Sequence, residues 1–346
     1  MHTTSLASLA THNRSSELDE TMRAIVQRSY GMADVLQSER VAVPSIGEKD
    51  VLIEVHCAAL DRGTWHLMTG MPYLIRILGF GFMRPKQPIS GLDVAGRVVE
   101  VGSAVTRFAP GDHVYGIASG SFAEYTVASE DKLVTKPENM TFETAAAASV
   151  SGITALEALT DVGNVQAGQK VLVVGASGGV GTFAVQLAKA MGAEVTGVAS
   201  ASKADLLRSL GADHVIDYKA TSLVDSKHRY DLIIDIGGRN KVSHLRQVLT
   251  PKGTLVFVGG EGGNRWTGGI GRQLGASLLS VFISQRLTMF ISSESTSTMK
   301  RLREFIQSGA VQPFVGQRYS LNDVPAAMHE LEIGAVRGKT VITVRA

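Results

Sequence analysis

Residues Val171–Lys189 read VLVVGASGGVGTFAVQLAK, and this stretch decides the fold. Lys170–Val174 (KVLVV) is a continuous apolar strand of the kind covered on both faces. It runs into Gly175, Ser177, Gly178 and Gly179, and then into an Ala- and Leu-bearing helix, Gly181–Met191. Glycines let the backbone turn sharply and approach a pyrophosphate closely. The helix start adds free N–H groups and the positive end of its dipole. Ser177 stands where a strict GxGxxG has its second glycine, but the strand before and the helix after supply the structural context that the motif needs.

Outward from the turn, strand and helix alternate. Glu194–Val198, His214–Asp217, Leu232–Ile236 and Gly253–Val258 read as strands, with helices at Ala204–Leu210 and Val242–Leu249. This alternation predicts a doubly wound parallel sheet, an α/β Rossmann fold, over residues 151–289. Upstream, Ala24–Arg28, Glu39–Val43, Val51–His56 and Gly91–Glu100 are short, β-rich and punctuated by glycine. Phe142–Leu159 reads as one helix. The tail from residue 290, with helices at Met299–Gln307 and Val324–Leu331 and a last strand Lys339–Val344, does not extend the alternation. It is assigned to the first region, giving a discontinuous domain of residues 22–150 and 290–346.

The 346 residues exceed one ordinary core. A net charge of +2 gives no broad footprint for nucleic acid or anionic membrane. Cys57 is the single cysteine, so no internal disulfide and no cysteine cluster for structural zinc can form. A reducing, cytoplasmic setting suits this composition. Residues 1–21 lack the basic start and long apolar run of a secretory signal and read as a flexible extension. Leu274–Ser284 (LGASLLSVFIS) is too short to span a bilayer and reads as a buried helix or one packed at a subunit or lid surface, with a membrane-surface helix as the minor alternative.

The second strand of the nucleotide fold bears on the dinucleotide. An NAD site ends that strand with an acid for the ribose hydroxyls. Here Glu194 lies at its start, and Ser200, Ser202 and Lys203 stand at its end. Hydroxyls and an ammonium suit a further phosphate, so NADPH is expected over NADH.

Eight motifs then follow in order. They are GLDVAGRVVEVG (Gly91–Gly102), RFAPGDHVYG (Arg107–Gly116), GSFAEYTV (Gly120–Val127), SGITALEAL (Ser151–Leu159), the GASGGVG turn, SLGADHVIDY (Ser209–Tyr218), LTPKGTLVFVGG (Leu249–Gly260) and RGKTVITV (Arg337–Val344). Together they resemble the medium-chain dehydrogenase/reductase superfamily, in its zinc-free quinone-oxidoreductase branch. The resemblance implies a mostly β, GroES-like catalytic domain built from both chain ends, a Rossmann domain between, and a cofactor cleft where they meet. It places Thr154 near the nicotinamide and Gly178, Gly179 and Val180 at the pyrophosphate. It places Ser200, Lys203 and Tyr218 around the 2′-phosphate, and Gly259 and Gly260 beside the nicotinamide ribose. It also implies a homodimer.

Zinc-bearing relatives need about three protein ligands. At the corresponding positions this chain has Asp61, Leu92 and Asp93, and Gly116–Gly120 is a short link where a four-cysteine lobe would stand. No metal is therefore expected. Without a Lewis acid, hydride delivery favours activated double bonds and quinones, hence a small apolar electrophile. The candidate catalytic residues lie in AALDRGTWHLMTG, Ala58–Gly70: Asp61 to position ribose or substrate, and His66 as a proton donor or as a residue packed on the cofactor. Pro72–Arg84 and Gly262–Met289 either wall the substrate pocket or cover the core and a dimer seam. The function predicted is NADPH-dependent reduction of quinones or α,β-unsaturated carbonyls. A zinc-free NADP-dependent alcohol or aldehyde dehydrogenase, and an NADPH-binding sensor or structural protein with little catalysis, remain the alternatives.

Overall fold

The structure, a computed structural model, describes residues 20–345 apart from 226, 227 and 262. The expected extension therefore falls outside the described residues up to residue 19, and Thr21 already belongs to the first strand.

The strands are β1 (Thr21–Val26), β2 (Gln37–Ala42), β3 (Asp50–Leu60), β4 (Asp93–Val101), β5 (His113–Ile117), β6 (Tyr125–Ser129), β7 (Leu133–Thr135), β8 (Lys170–Val174), β9 (Glu194–Ala199), β10 (His214–Asp217), β11 (Tyr230–Asp235), β12 (Leu249–Phe257), β13 (Arg286–Met289), β14 (Val315–Ser320) and β15 (Lys339–Thr343). The helices are α1 (Arg62–Thr69), α2 (Phe142–Ala146), α3 (Ser149–Glu157), α4 (Gly179–Ala190), α5 (Ala204–Ser209), α6 (Val242–Gln247), α7 (Ile270–Ser280), α8 (Thr296–Gln307) and α9 (Val324–Glu332).

One sheet is six-stranded and parallel, in the order β10-β9-β8-β11-β12-β13. Strand order reverses at β8, the first strand of the alternation. Crevices that accept ligands form at such switch points, at the carboxyl ends of the strands. Val171, Leu172 and Val173 of β8 are fully buried, which explains their uninterrupted apolar run. The edge strand β13 extends this sheet beyond the sequence reading, which took 262–289 as a wall or cover.

The second sheet has seven strands, in the order β14-β15-β3-β4-β5-β7 with β6 on β3. The C-terminal β15 runs antiparallel to β3, Thr340 opposite Leu60, so the chain's end completes the sheet formed near its start. Two clusters of buried side chains fill these regions. One joins Tyr115 and Val341 of the seven-stranded sheet to Phe183 and Val173 of the nucleotide fold. The other lies under β3, β4 and α9.

The helix expected over Phe142–Leu159 is broken. α2 ends at Ala146 and α3 begins at Ser149. At the junction, the Val150 N–H donates to Asp93 Oδ1 at 2.7 Å instead of continuing the helical ladder. Of the two readings of Leu274–Ser284, a buried helix or one packed at a subunit or lid surface, the exposure pattern fits the second. α7 buries Gln273 and Ala276, while Leu274 and Leu278 are more than half exposed. Among the described residues, no helix is long and apolar enough to cross a membrane.

Candidate functional site

β8 delivers the chain into the glycine turn. Gly175 has φ +86°, and Gly178 caps the start of α4. A Cβ on Gly181 would lie 2.2 Å from the Gly175 carbonyl oxygen, so helix and turn can approach this closely only with glycine there. The first N–H groups of α4, beginning at Gly179 and Val180, point out of the helix end and have no carbonyl a turn back to accept them. Two other elements close on the turn. α3 brings Ser151 beside Gly179 and carries Thr154, whose hydroxyl donates to the Val150 carbonyl at 2.7 Å. The segment before β15 donates the Gly338 N–H to the Ser177 carbonyl at 2.8 Å.

At the carboxyl ends of β9 and β10 lie Ser200, Lys203 and Tyr218. The Ser200 and Ser202 hydroxyls are 3.3 Å apart, and Tyr218 is 59% exposed. The Lys203 ammonium donates to the Val336 carbonyl at 2.9 Å. Burial, together with the charges of Arg337 and Lys219, lowers the Lys203 pKa. The Lys203–Val336 hydrogen bond sets Lys203 beside Arg337, Lys219 is near enough for its charge to act on Lys203, and an anion seated there relieves their repulsion. Arg337 and Lys219 were missed by sequence reasoning. Arg337 opens the motif RGKTVITV and Lys219 follows SLGADHVIDY, but only folding brings residue 337 next to residue 203.

Across the cleft, Gly259 follows β12 so closely that a Cβ would lie 1.9 Å from the Ile236 carbonyl oxygen. Its own carbonyl accepts from Gln273 Nε2 at 2.9 Å. Gly260 leads to Glu261, a third residue missed in the sequence. Its carboxylate lies 3.5 Å from His66 Nε2 and 3.6 Å from Arg62 Nε. Burial tends to raise the Glu261 pKa, but the His66 hydrogen bond and the charges of Arg62, His66 and Arg239 outweigh it and lower the pKa. His66 Nδ1 is 2.7 Å from the Met71 carbonyl, so each ring nitrogen faces an acceptor oxygen. A cavity of about 460 Å³ opens nearby between Gly238, Asn240, Asn264 and Arg272.

Asp61 has a defined local role. It is the N-cap of α1: Oδ1 accepts from the Thr64 N–H at 2.8 Å and Oδ2 from the Thr64 hydroxyl at 3.0 Å. It holds the helix that presents Arg62 and His66, and this support takes both its oxygens. Asp93 is fully buried, 2.6 Å from the equally buried Lys339 ammonium. Burial pushes Asp93 up to about 6 against the opposing pull of Lys339. Cys57 is buried in β3, and burial raises its thiol to about 12. Glu157, also overlooked, sits buried on α3 and accepts from the hydroxyls of Ser292, Ser293 and Thr298 and from the Ser293 N–H. It ties the segment before α8 to the helix that carries Thr154.

Comparison with known proteins agrees with this architecture. Residues 47–138 match the family model described as an alcohol dehydrogenase GroES-like domain, and residues 210–342 match one described as a zinc-binding dehydrogenase. The chain is 32% identical to a 2-methylene-furan-3-one reductase of Solanum lycopersicum, over 98% of this chain and 83% of that protein. It is 32% identical to an Arabidopsis thaliana NADPH-dependent alkenal/one oxidoreductase described as chloroplastic, over 94% and 81% respectively. The solved quinone oxidoreductase of Coxiella burnetii superposes with a TM-score of 0.84 at 28% identity, covering 94% of this chain and all of that one. The chain belongs to the medium-chain dehydrogenase/reductase superfamily, in its quinone-oxidoreductase-like branch.

The zinc named in one of the superfamily models does not fit the residues present here. Leu92 offers no donor atom, Asp61 is oriented by two hydrogen bonds from Thr64 as the cap of α1, and Asp93 is turned to Val150 and the buried Lys339 ammonium, a cation that disfavours a metal ion beside it. The buried Cys57 thiol resists the deprotonation that ligation requires. Among the described residues there is no group of three His, Cys, Asp or Glu side chains arranged to hold a metal ion.

Proposed function

We propose that this protein is an NADPH-dependent, metal-independent reductase of quinones or α,β-unsaturated carbonyls. The observation that carries the cofactor reading is the action of the Arg337 and Lys219 charges on Lys203, with no acid at the end of β9. The names of the Arabidopsis and tomato relatives and of the Coxiella structure support the substrate class.

Bound NADPH supplies the hydride. The chain's own residues do the rest. The start of α4, Gly178, Gly179 and Val180, takes the pyrophosphate. Ser200, Lys203, Tyr218 and Arg337 take the 2′-phosphate. Thr154, Gly259 and Gly260 flank the nicotinamide end. His66, whose ring nitrogens face Met71 and Glu261, passes a proton to the reduced substrate, a role that the neighbouring carboxylate supports. Asp61 acts through α1 as a positioning residue. The donor set at Asp61, Leu92 and Asp93 supports the absence of a metal from this chemistry. Residues 22–150 with 290–346 form the catalytic domain and residues 151–289 the nucleotide domain, a division supported by the pairing of β15 with β3. The edge position of β13 and the exposed Leu274, Leu278, Val281 and Phe282 support a homodimer. The lone, buried Cys57 suits a cytoplasmic setting.

The test is oxidation of NADPH by a quinone, an enone, an enal and a saturated aldehyde, with NADH run in parallel. Turnover of the conjugated acceptors with NADPH well above NADH is expected. Turnover of saturated alcohol with NADP would instead favour the dehydrogenase, and tight NADPH binding without turnover the sensor.

A further inference from the structure

Residues 76–86 (RILGFGFMRPK) form an arm whose apolar side chains face water. Ile77 is 65% exposed, Leu78 66%, Phe80 49%, Phe82 73% and Met83 85%. A soluble surface seldom leaves so many large apolar groups together without a partner. The arm's root is held firmly. Tyr30 donates its hydroxyl to the Gly81 carbonyl at 2.6 Å. Arg76 donates to the Gly70 carbonyl at 2.8 Å and stacks on Tyr30 and Tyr73. The Tyr73 and Leu74 N–H groups donate to the Arg265 and Trp266 carbonyls, on the loop that continues from Glu261. The apolar tips therefore project from a braced base beside the cleft.

The charge around the arm identifies what it meets. Between Asp61 and Asp93 there is no acidic residue, while Arg62, Arg76, Arg84 and Lys86 give that span a formal +4; with Arg62 paired to Glu261, +3 remains, against +2 for the whole chain. The chain's near-neutral total conceals this local excess. Arg84 and Lys86 are both exposed and flank Phe82 and Met83. Trp266, 67% exposed and edge-on to Tyr73, adds an amphipathic ring of the type that settles at a headgroup boundary. A second copy docked on the same face would set this positive span against itself, whereas an anionic bilayer complements both its charge and its apolarity.

We propose that the 76–86 arm is a membrane-surface anchor: Phe80, Phe82 and Met83, with Ile77 and Leu78, enter the acyl boundary of an anionic leaflet while Arg84 and Lys86 meet its headgroups. The arm's root then sets the cleft beside the bilayer, where apolar acceptors dissolve.

The experiment is co-sedimentation of the full-length protein with vesicles of equal parts phosphatidylcholine and phosphatidylserine, and with phosphatidylcholine alone. Binding to the anionic vesicles that weakens with added salt is expected. Arg84→Gln with Lys86→Gln should lower the partition coefficient by about fivefold for each charge removed. Phe82→Ser with Met83→Ser should lower it about tenfold or more. Both double variants should retain wild-type thermal unfolding, since the substituted side chains are exposed. Equal binding to both vesicle types, or none to either, would overturn the proposal. So would light scattering showing that Phe82→Ser/Met83→Ser dissociates a dimer while vesicle binding is unchanged, which would make the arm a self-association surface.

Discussion

The Lys339 ammonium lies 2.6 Å from the Asp93 carboxylate with both side chains closed to solvent, so one ion pair fastens the last strand of the chain to β4. The other Asp93 oxygen takes the Val150 N–H and shapes the start of α3. Removing one partner leaves an uncompensated buried charge. Lys339→Met should therefore cost about 3–5 kcal/mol in denaturant unfolding. The double variant Asp93→Asn/Lys339→Met should recover a substantial part of that loss. Equal loss in both would show that the pair's electrostatics are not what holds the strand.

Lys203 and Arg337 should set cofactor preference. Lys203→Ala removes a charged donor worth about 1.5–3 kcal/mol to a phosphate, a loss of about tenfold to a hundredfold in kcat/KM for NADPH. The value for NADH should change little, because NADH has no 2′-phosphate. Arg337→Ala should act in the same direction. Initial rates with the two cofactors decide the matter, and a parallel loss with both would contradict the assignment.

The contact of Glu261 with His66 and Arg62 gives a pH dependence with a definite sign. The Glu261 pKa is lowered in the folded protein. Its stabilising contribution is full above the ordinary glutamate value of about 4.3 and is lost as pH falls through the folded value. Glu261→Gln should lower stability by about 1 kcal/mol near neutral pH. The gap between variant and wild type should close below about pH 4. Unfolding curves across that range measure it. A gap that widens in acid would mean that Glu261 is held by something other than these cations.

Gly181→Ala should damage the phosphate turn itself. The added Cβ would meet the Gly175 carbonyl oxygen at 2.2 Å, so backbone must shift. A loss of about 1–3 kcal/mol in stability is expected, with weaker NADPH binding by titration. Wild-type affinity in this variant would remove the turn from the cofactor site.

Prolonged dialysis against a strong chelator should leave NADPH-dependent turnover unchanged, and elemental analysis should find well under one zinc per chain. The prediction follows from Leu92, from the capping role of Asp61 and from the Lys339 ammonium beside Asp93. Loss of activity restored by zinc would refute it.

The sequence by itself determined the nucleotide fold and its turn. Buried parallel strands require unbroken apolar runs, and a tight strand–turn–helix junction requires glycine, so both leave local marks that Val171–Lys189 carries in full. That Leu92 offers no metal donor is equally legible in the sequence, because donor chemistry is a property of single residues. What it could not show were partnerships between distant segments: Lys203 with Arg337, His66 with Glu261, Asp93 with Lys339, and Glu157 with Ser292 and Ser293. Nor could it show that Asp61 caps α1 through Thr64, or which of the two readings of Leu274–Ser284 holds: the apolar Leu274 and Leu278 are exposed, as a helix packed at a subunit or lid surface requires. Local pattern records what a residue can do. Only the tertiary structure, by closing the two ends of the chain on one sheet and setting that sheet against the nucleotide fold, decided which groups meet and which are left facing water.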